Sequence, residues 1–234
     1  MKSLLLINAS GRVTRSITRQ LTARFAEGWK SRHPRAEIVI RDVGIHPPPA
    51  INETWIAAAF AEPGNHTPAM RKAILLSDTM VDELHRADVI VLGVPMYNYG
   101  MPGQLKAYFD QIVRIGRTFA FDPTAENPYL PLIKTKPVVA VLSAGNGAIH
   151  PGGELAHLNF LEPHLLTLLG FIGLSDPTVV RVGYDEYQDD RFHQSLAAAE
   201  TALDQILDKL ALNAAPAGFF HHSNPPSHFT PLSL

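Results

Sequence analysis

A chain of 234 residues with 46% hydrophobic content can bury a substantial core, and its length suits one large domain. Twenty Lys and Arg against twenty-two Asp and Glu leave a formal charge of -2, without the electrostatic footprint of a nucleic-acid or anionic-membrane binder. The absence of cysteine excludes a disulfide framework, thiolate metal sites and thiol catalysis, fits a reducing compartment, and leaves any redox chemistry to a cofactor.

The first apolar run, residues 3–8 (SLLLIN), is too short for a signal sequence or a membrane span and reads as a strand. Further runs rich in Val, Ile and Leu follow at 37–41, 88–94, 137–143 and 178–182. Several are continuously apolar, as suits strands buried on both faces of a parallel sheet. Amphipathic stretches of helical length lie between and after them, at 14–32, 68–86, 104–115, 154–171 and 189–210. The pattern predicts βα repeated five times. It implies an α/β protein with a flavodoxin-like, doubly wound five-stranded parallel sheet of order 2-1-3-4-5 and helices on both faces. Such sheets bind ligands beyond the carboxyl ends of their strands.

Two segments exceed this repeat: Pro-rich 43–67, with a short helix expected near 53–61, and 119–136. Both have the size of loops that build binding sites or dimer contacts. Residues 1–212 read as one domain. Residues 213–234, rich in Pro, His and Ser without helical or strand period, read as a tail that is disordered or docked on a partner.

After the first strand, ASGRVTRSITRQL gathers Ser10, Thr14, Ser16 and Thr18 ahead of the apolar period of Leu21, Phe25 and Trp29. Free N–H groups and hydroxyls at a helix start suit a phosphate, and Arg12 or Arg15 could add a charge-assisted contact. A plain N-cap is the commoner explanation of Ser16 or Thr14, but the position after strand one favours the phosphate of a mononucleotide. No G-x-G-x-x-G follows this strand and no G-x-x-x-x-G-K-[ST] occurs anywhere.

The third strand leads into PMYNYGMPGQLKAYFDQIVRIGRTFAF, which places Met96, Tyr97, Asn98 and Tyr99 where a planar heteroaromatic ring would find an apolar wall and backbone amides. Taken singly, these residues are better explained by ordinary packing and by a helix started at Pro102. The fourth strand ends in a small-residue loop from Ser143 to His150. His150 is the leading catalytic candidate, as a donor to the N1/O2 edge of a reduced flavin, with a plain loop residue as the competing reading. His157 and His164, seven apart on one predicted helix, do not suit a shared metal ion, and His221, His222 and His228 hint at metal only weakly.

PMYNYGMPGQLKAYFDQIVRIGRTF, the Ser10 loop with its Ser16-Ile17-Thr18 step, and the helix end LLTLLGFIGL resemble the FMN-dependent NADH-azoreductases, also described as NADH:quinone oxidoreductases. The similarity runs to about Leu210. It implies FMN bound through Ser10, Ser16, Ile17 and Thr18, through Pro95, Met96, Tyr97, Asn98 and Tyr99, and through Ser143, Ala144, Gly145 and Asn146. It further implies a homodimer with sites near the subunit interface; the chain is also expected to be cytoplasmic and to hold no metal. In such enzymes NADH reduces FMN and leaves, and a quinone or azo compound then takes two electrons. The chain departs from the family in having Ser143-Ala144-Gly145-Asn146 where Ser-Arg-Gly-Gly is usual, and in a longer, Pro-richer 119–136 loop. Two alternatives are a flavodoxin-type electron carrier, disfavoured by near-neutral charge and long loops, and an NADPH-dependent FMN reductase, disfavoured by PMYNYG.

Overall fold

In the computed structural model, which describes residues 2–212, each apolar run forms a strand. The strands are β1 (Ser3–Asn8), β2 (Glu37–Asp42), β3 (Val89–Pro95), the short β4 (Phe119–Phe121) and β5 (Tyr129–Pro131), β6 (Val138–Ser143) and β7 (Thr178–Val182). The five longer strands form one parallel sheet of order β2-β1-β3-β6-β7. With the two short strands left out of the count, this is the expected order 2-1-3-4-5. Asn8 pairs with Gly93, Pro95 with Ser143, and Ser143 with Val182, so the carboxyl ends of four strands reach one edge together.

The helices are α1 (Ile17–Arg32), α2 (Glu53–Phe60), α3 (Pro68–Arg86), α4 (Gly103–Ile112), α5 (Leu161–Ile172) and α6 (Asp190–Leu212). Side chains alternate across a strand, so each sheet face collects its own set. Leu5, Ile7, Ile90 and Leu92 meet Leu84, Leu105, Phe109 and Leu165 from α3, α4 and α5. Leu4, Val89, Val91 and Val141 meet Phe25, Trp29, Leu203 and Leu207 from α1 and α6. Burying both faces is what makes the central runs of β1, β3 and β6 apolar, while the edge strands β2 and β7 stay partly exposed and carry Arg41 and Arg181.

Three segments differ from expectation. Helix α1 begins at Ile17 rather than 14, because Ser16 has extended backbone and its hydroxyl accepts the Arg19 N–H at 3.3 Å. The predicted 154–171 helix is divided: residues 156–158 form a 3-10 turn, the Phe160 N–H donates to the Tyr99 carbonyl, and Asn159 Oδ1 accepts the Glu162 N–H at 3.0 Å to start α5. His157 and His164 therefore sit on different elements. The 119–136 segment contains the antiparallel ribbon β4–β5, whose Phe119 and Tyr129 rings pack on Phe171 of α5 at 4.9 and 5.5 Å. Among the described residues, no helix is long and apolar enough to cross a membrane, and no cluster of His, Asp and Glu is arranged to hold a metal. The 213–234 tail, with its three histidines, lies outside the described residues.

Candidate active site

Because the strand ends are level, the loops after β1, β3, β6 and β7 surround one cleft of about 720 Å³. Ligand sites commonly span about 300–1,000 Å³, which a mononucleotide fits. One wall is the β1–α1 loop, with Ser10, Arg12, Thr14, Arg15, Ser16 and Ile17. The floor is Pro95, Met96, Tyr97 and Asn98, and the far side is Ser143, Ala144 and Gly145. Ten of the residues expected to hold a flavin are thus brought together.

The β1–α1 wall has the chemistry of an anion site. Ser10, Ser16 and Thr18 are buried, and the Ser16 and Thr18 hydroxyls lie 3.2 Å apart. The first turn of α1 carries no acidic residue, and no hydrogen bond among the described residues occupies the N–H groups of Ile17 and Thr18. Those are the helix donors that go unpaired by geometry, at the positive end of the macrodipole. Thr18 itself lies just beneath the lining, in hydroxyl contact with Ser16.

The floor holds a turn of unusual backbone. Tyr97 and Gly100 exchange two hydrogen bonds of 3.0 Å, and both intervening residues have positive φ, 48° at Asn98 and 68° at Tyr99. This is the dihedral signature of a two-residue type I′ turn built without glycine in the middle. A non-glycine residue held there costs of order 1 kcal/mol or more, and such strain concentrates at binding sites. The Asn98 and Tyr99 N–H groups have no protein acceptor among the described residues. Tyr99 itself sits at the rim, 53% exposed.

Two expected residues do not reach the cleft. Asn146 spends its side-chain oxygen on the Ala148 N–H at 3.0 Å, capping a short 3-10 turn. The His150 ring turns back under the loop, with Nε2 3.2 Å from the Val182 carbonyl. Burial pushes the His150 pKa down, so the neutral ring with Nε2 protonated is favoured, and Nδ1 is a buried acceptor without a partner. In this geometry His150 is not part of the cleft lining, where the sequence places a donor to a flavin edge. His150→Gln is expected to change flavin affinity by less than about twofold, as for a group outside the cleft; fluorescence titration checks this.

The loop after β7, with Asp185 and Glu186, and the start of α6, with Phe192 and His193, supply lining that sequence reasoning missed. The available signal was the rule that ligands sit beyond the carboxyl ends of strands, applied to the fifth strand as to the others. The two far loops are in close contact: a Cβ on Gly145 would lie 2.3 Å from Glu186 Cδ. That contact accounts for the small residue at this position of the β6 loop.

Residues 2–207 match the model of a family described by its flavodoxin-like fold. An FMN-dependent NADH:quinone oxidoreductase of Opitutus terrae is 56% identical over 214 residues, covering 90% of this chain and 99% of that protein. A second, from Trichormus variabilis, is 42% identical over 207 residues, covering 88% and 99%. Among solved structures, an FMN-dependent NADH-azoreductase of Bacillus anthracis in complex with FMN superposes with TM-score 0.78 over 90% of this chain and all of that one, at 21% identity, a likeness of fold. The level strand ends, the acid-free helix start and the positive-φ turn thus sit on a chain that belongs to the FMN-dependent NADH:quinone oxidoreductase family of the flavodoxin-like fold.

Proposed function

We propose that the chain binds FMN in this cleft and uses it to pass two electrons from NADH to quinones, and to cleave aromatic azo compounds reductively. The observation that carries the reading is the pairing, at adjacent strand ends, of an anion-binding helix start with a turn that offers free N–H groups. FMN, when bound, supplies the two-electron redox chemistry.

The chain's own residues bind and orient. The hydroxyls of Ser10, Ser16 and Thr18 and the first N–H groups of α1 would hold the phosphate, with Arg12 or Arg15 adding charge. The Met96 to Tyr99 turn would present N–H groups to the polar edge of the ring, and Ser143, Ala144 and Gly145 would line its other side. Such holding replaces a bimolecular encounter with a fixed geometry, which is where most of the protein's contribution lies in a cofactor enzyme.

The same reading includes a cytoplasmic homodimer. Supporting it, α2 buries Trp55, Ala58 and Ala59 but leaves Ile56 and Phe60 outward, Phe60 at 71% exposure, and the β4–β5 ribbon exposes Phe121, Tyr129 and Leu130. Apolar surface of this kind marks association sites.

The test is an anaerobic titration of FMN-loaded protein. The flavin absorbance is expected to bleach with NADH and return on addition of a simple quinone, and light scattering is expected to give twice the chain mass. A protein that holds no flavin after incubation with FMN overturns the reading, and a monomer removes the dimer alone.

A further inference from the structure

Arg19 is the third residue of α1, in its first turn, on the side of the β1–α1 loop that faces β2. Its guanidinium makes a two-sided clamp. On one side it meets Asp42 with both terminal nitrogens, at 2.5 and 2.7 Å. On the other it donates to the Ser10 carbonyl from Nε at 3.2 Å and from a terminal nitrogen at 2.6 Å. Its backbone N–H donates to the Ser16 hydroxyl. One residue thus ties together the two serines at the wall of the cleft and the end of β2.

The peptide plane gives this clamp a consequence. The unit from Ser10 to Gly11 is planar and trans, so its carbonyl and its N–H point in opposite directions. Holding the Ser10 carbonyl against Arg19 turns the Gly11 N–H the other way, where it donates to the Tyr97 hydroxyl at 3.2 Å. Tyr97 is part of the cleft floor. The orientation of the phosphate-side loop and its link to the ring-side turn are therefore set from behind.

The surroundings fit a built device. Asp42 Oδ1 also accepts the Ile45 N–H at 3.1 Å, and the Gly44 N–H donates to the Asn8 carbonyl at 3.0 Å. A Cβ on Gly44 would stand 2.1 Å from the Ser10 carbonyl oxygen and 2.9 Å from the Arg19 guanidinium, so only glycine lets the β2 loop close on the clamp. Hydrogen bonding to Arg19 holds the Asp42 carboxyl below its ordinary value, so the pair stays ionised through the neutral range and is lost only as pH falls into the acid range. Lysine cannot reproduce the contact, since it lacks the planar fork that grips a carboxylate and a carbonyl at once.

We propose that Arg19, held by Asp42, is a positioning residue that sets the phosphate loop and thereby makes the site prefer a phosphorylated flavin over riboflavin. This rests on the FMN reading above, and wild-type protein that binds neither flavin would defeat that reading before this one is reached.

The experiment compares the affinities of FMN and riboflavin, by quenching of flavin fluorescence, in wild type, Arg19→Met, Arg19→Lys and Asp42→Asn, each checked for an unchanged far-ultraviolet spectrum. Arg19→Met is expected to weaken FMN by about tenfold or more, the scale of a lost charge-assisted contact, while riboflavin changes by less than about twofold. Arg19→Lys is expected to recover only part of the preference. Asp42→Asn is expected to lower it too, with the double variant Arg19→Met/Asp42→Asn no worse than Arg19→Met, as for two members of one unit. Equal weakening of both flavins, which a merely structural role gives, overturns the proposal. So does full recovery in Arg19→Lys, which would make the effect one of charge, and so does additivity in the double variant. Should Arg19→Met fail to fold, Asp42→Asn and Arg19→Lys carry the comparison.

Discussion

Ser16→Asp is expected to fold as well as the parent and to bind FMN about a hundredfold or more weakly, which is roughly 3 kcal/mol. Ser16 is the N-cap of α1, and Asp caps as well as Ser. A carboxylate there also meets the positive end of the helix, worth about 0.3–1 kcal/mol, in a first turn that has no acid of its own. Thermal stability should therefore hold or rise. The same carboxylate would face a cofactor phosphate of about -1.5 to -2 charge, and at ~5 Å and an effective dielectric constant of about 20 each unit pair costs about 3 kcal/mol. Riboflavin has no phosphate and should bind Ser16→Asp within about threefold of the parent. Fluorescence titration of both flavins decides it, and undiminished FMN binding would mean that the phosphate does not sit at the start of α1.

The residues that were legible in the sequence share a physical reason. The apolar runs gave the strands and their order because burial on both faces leaves a composition that no other element needs at that length. Ser16 was legible because capping is local: it depends on the hydroxyl of one residue and the N–H three residues on. Features set by distant contacts were not. The turn at Asn98-Tyr99 lacks the Asn-Gly signal of its backbone class, so only the fold reveals the positive φ at both positions. The direction of the His150 ring is decided by a carbonyl 32 residues away, at Val182. The clamp on Ser10 needs Asp42, which reads locally as the polar end of a strand. Asp185 and Glu186 come to the cleft only because the loop after β7 lies against Gly145.

Trp29→Ala is expected to give the largest loss of stability, about 3–5 kcal/mol. The ring is 1% exposed and fills the space between α1, α6 and the sheet beside Phe25, Leu203 and Leu207. For a chain of this size the melting temperature should fall by about 2–4 °C per kcal/mol. One term softens the loss: the indole N–H is buried without an acceptor, so the native state already carries that cost and the variant sheds it. Trp29→Phe, which removes the same donor but leaves a smaller void, should cost only about 1 kcal/mol. A Trp29→Phe variant as unstable as Trp29→Ala would show that the ring edge, rather than the volume, carries the contact. Ligand linkage then joins this variant to the cofactor site. FMN at about a hundred times its dissociation constant stabilises the folded state by about 2.7 kcal/mol, and it should do so in Trp29→Ala as in the parent, because α1 keeps its first turn while losing a contact three turns away. In Ser16→Asp the same FMN concentration should leave the melting temperature almost unmoved. Core damage that can be offset by FMN, and a well-folded variant that cannot use it, together separate the helix as a structural element from its first turn as a binding site.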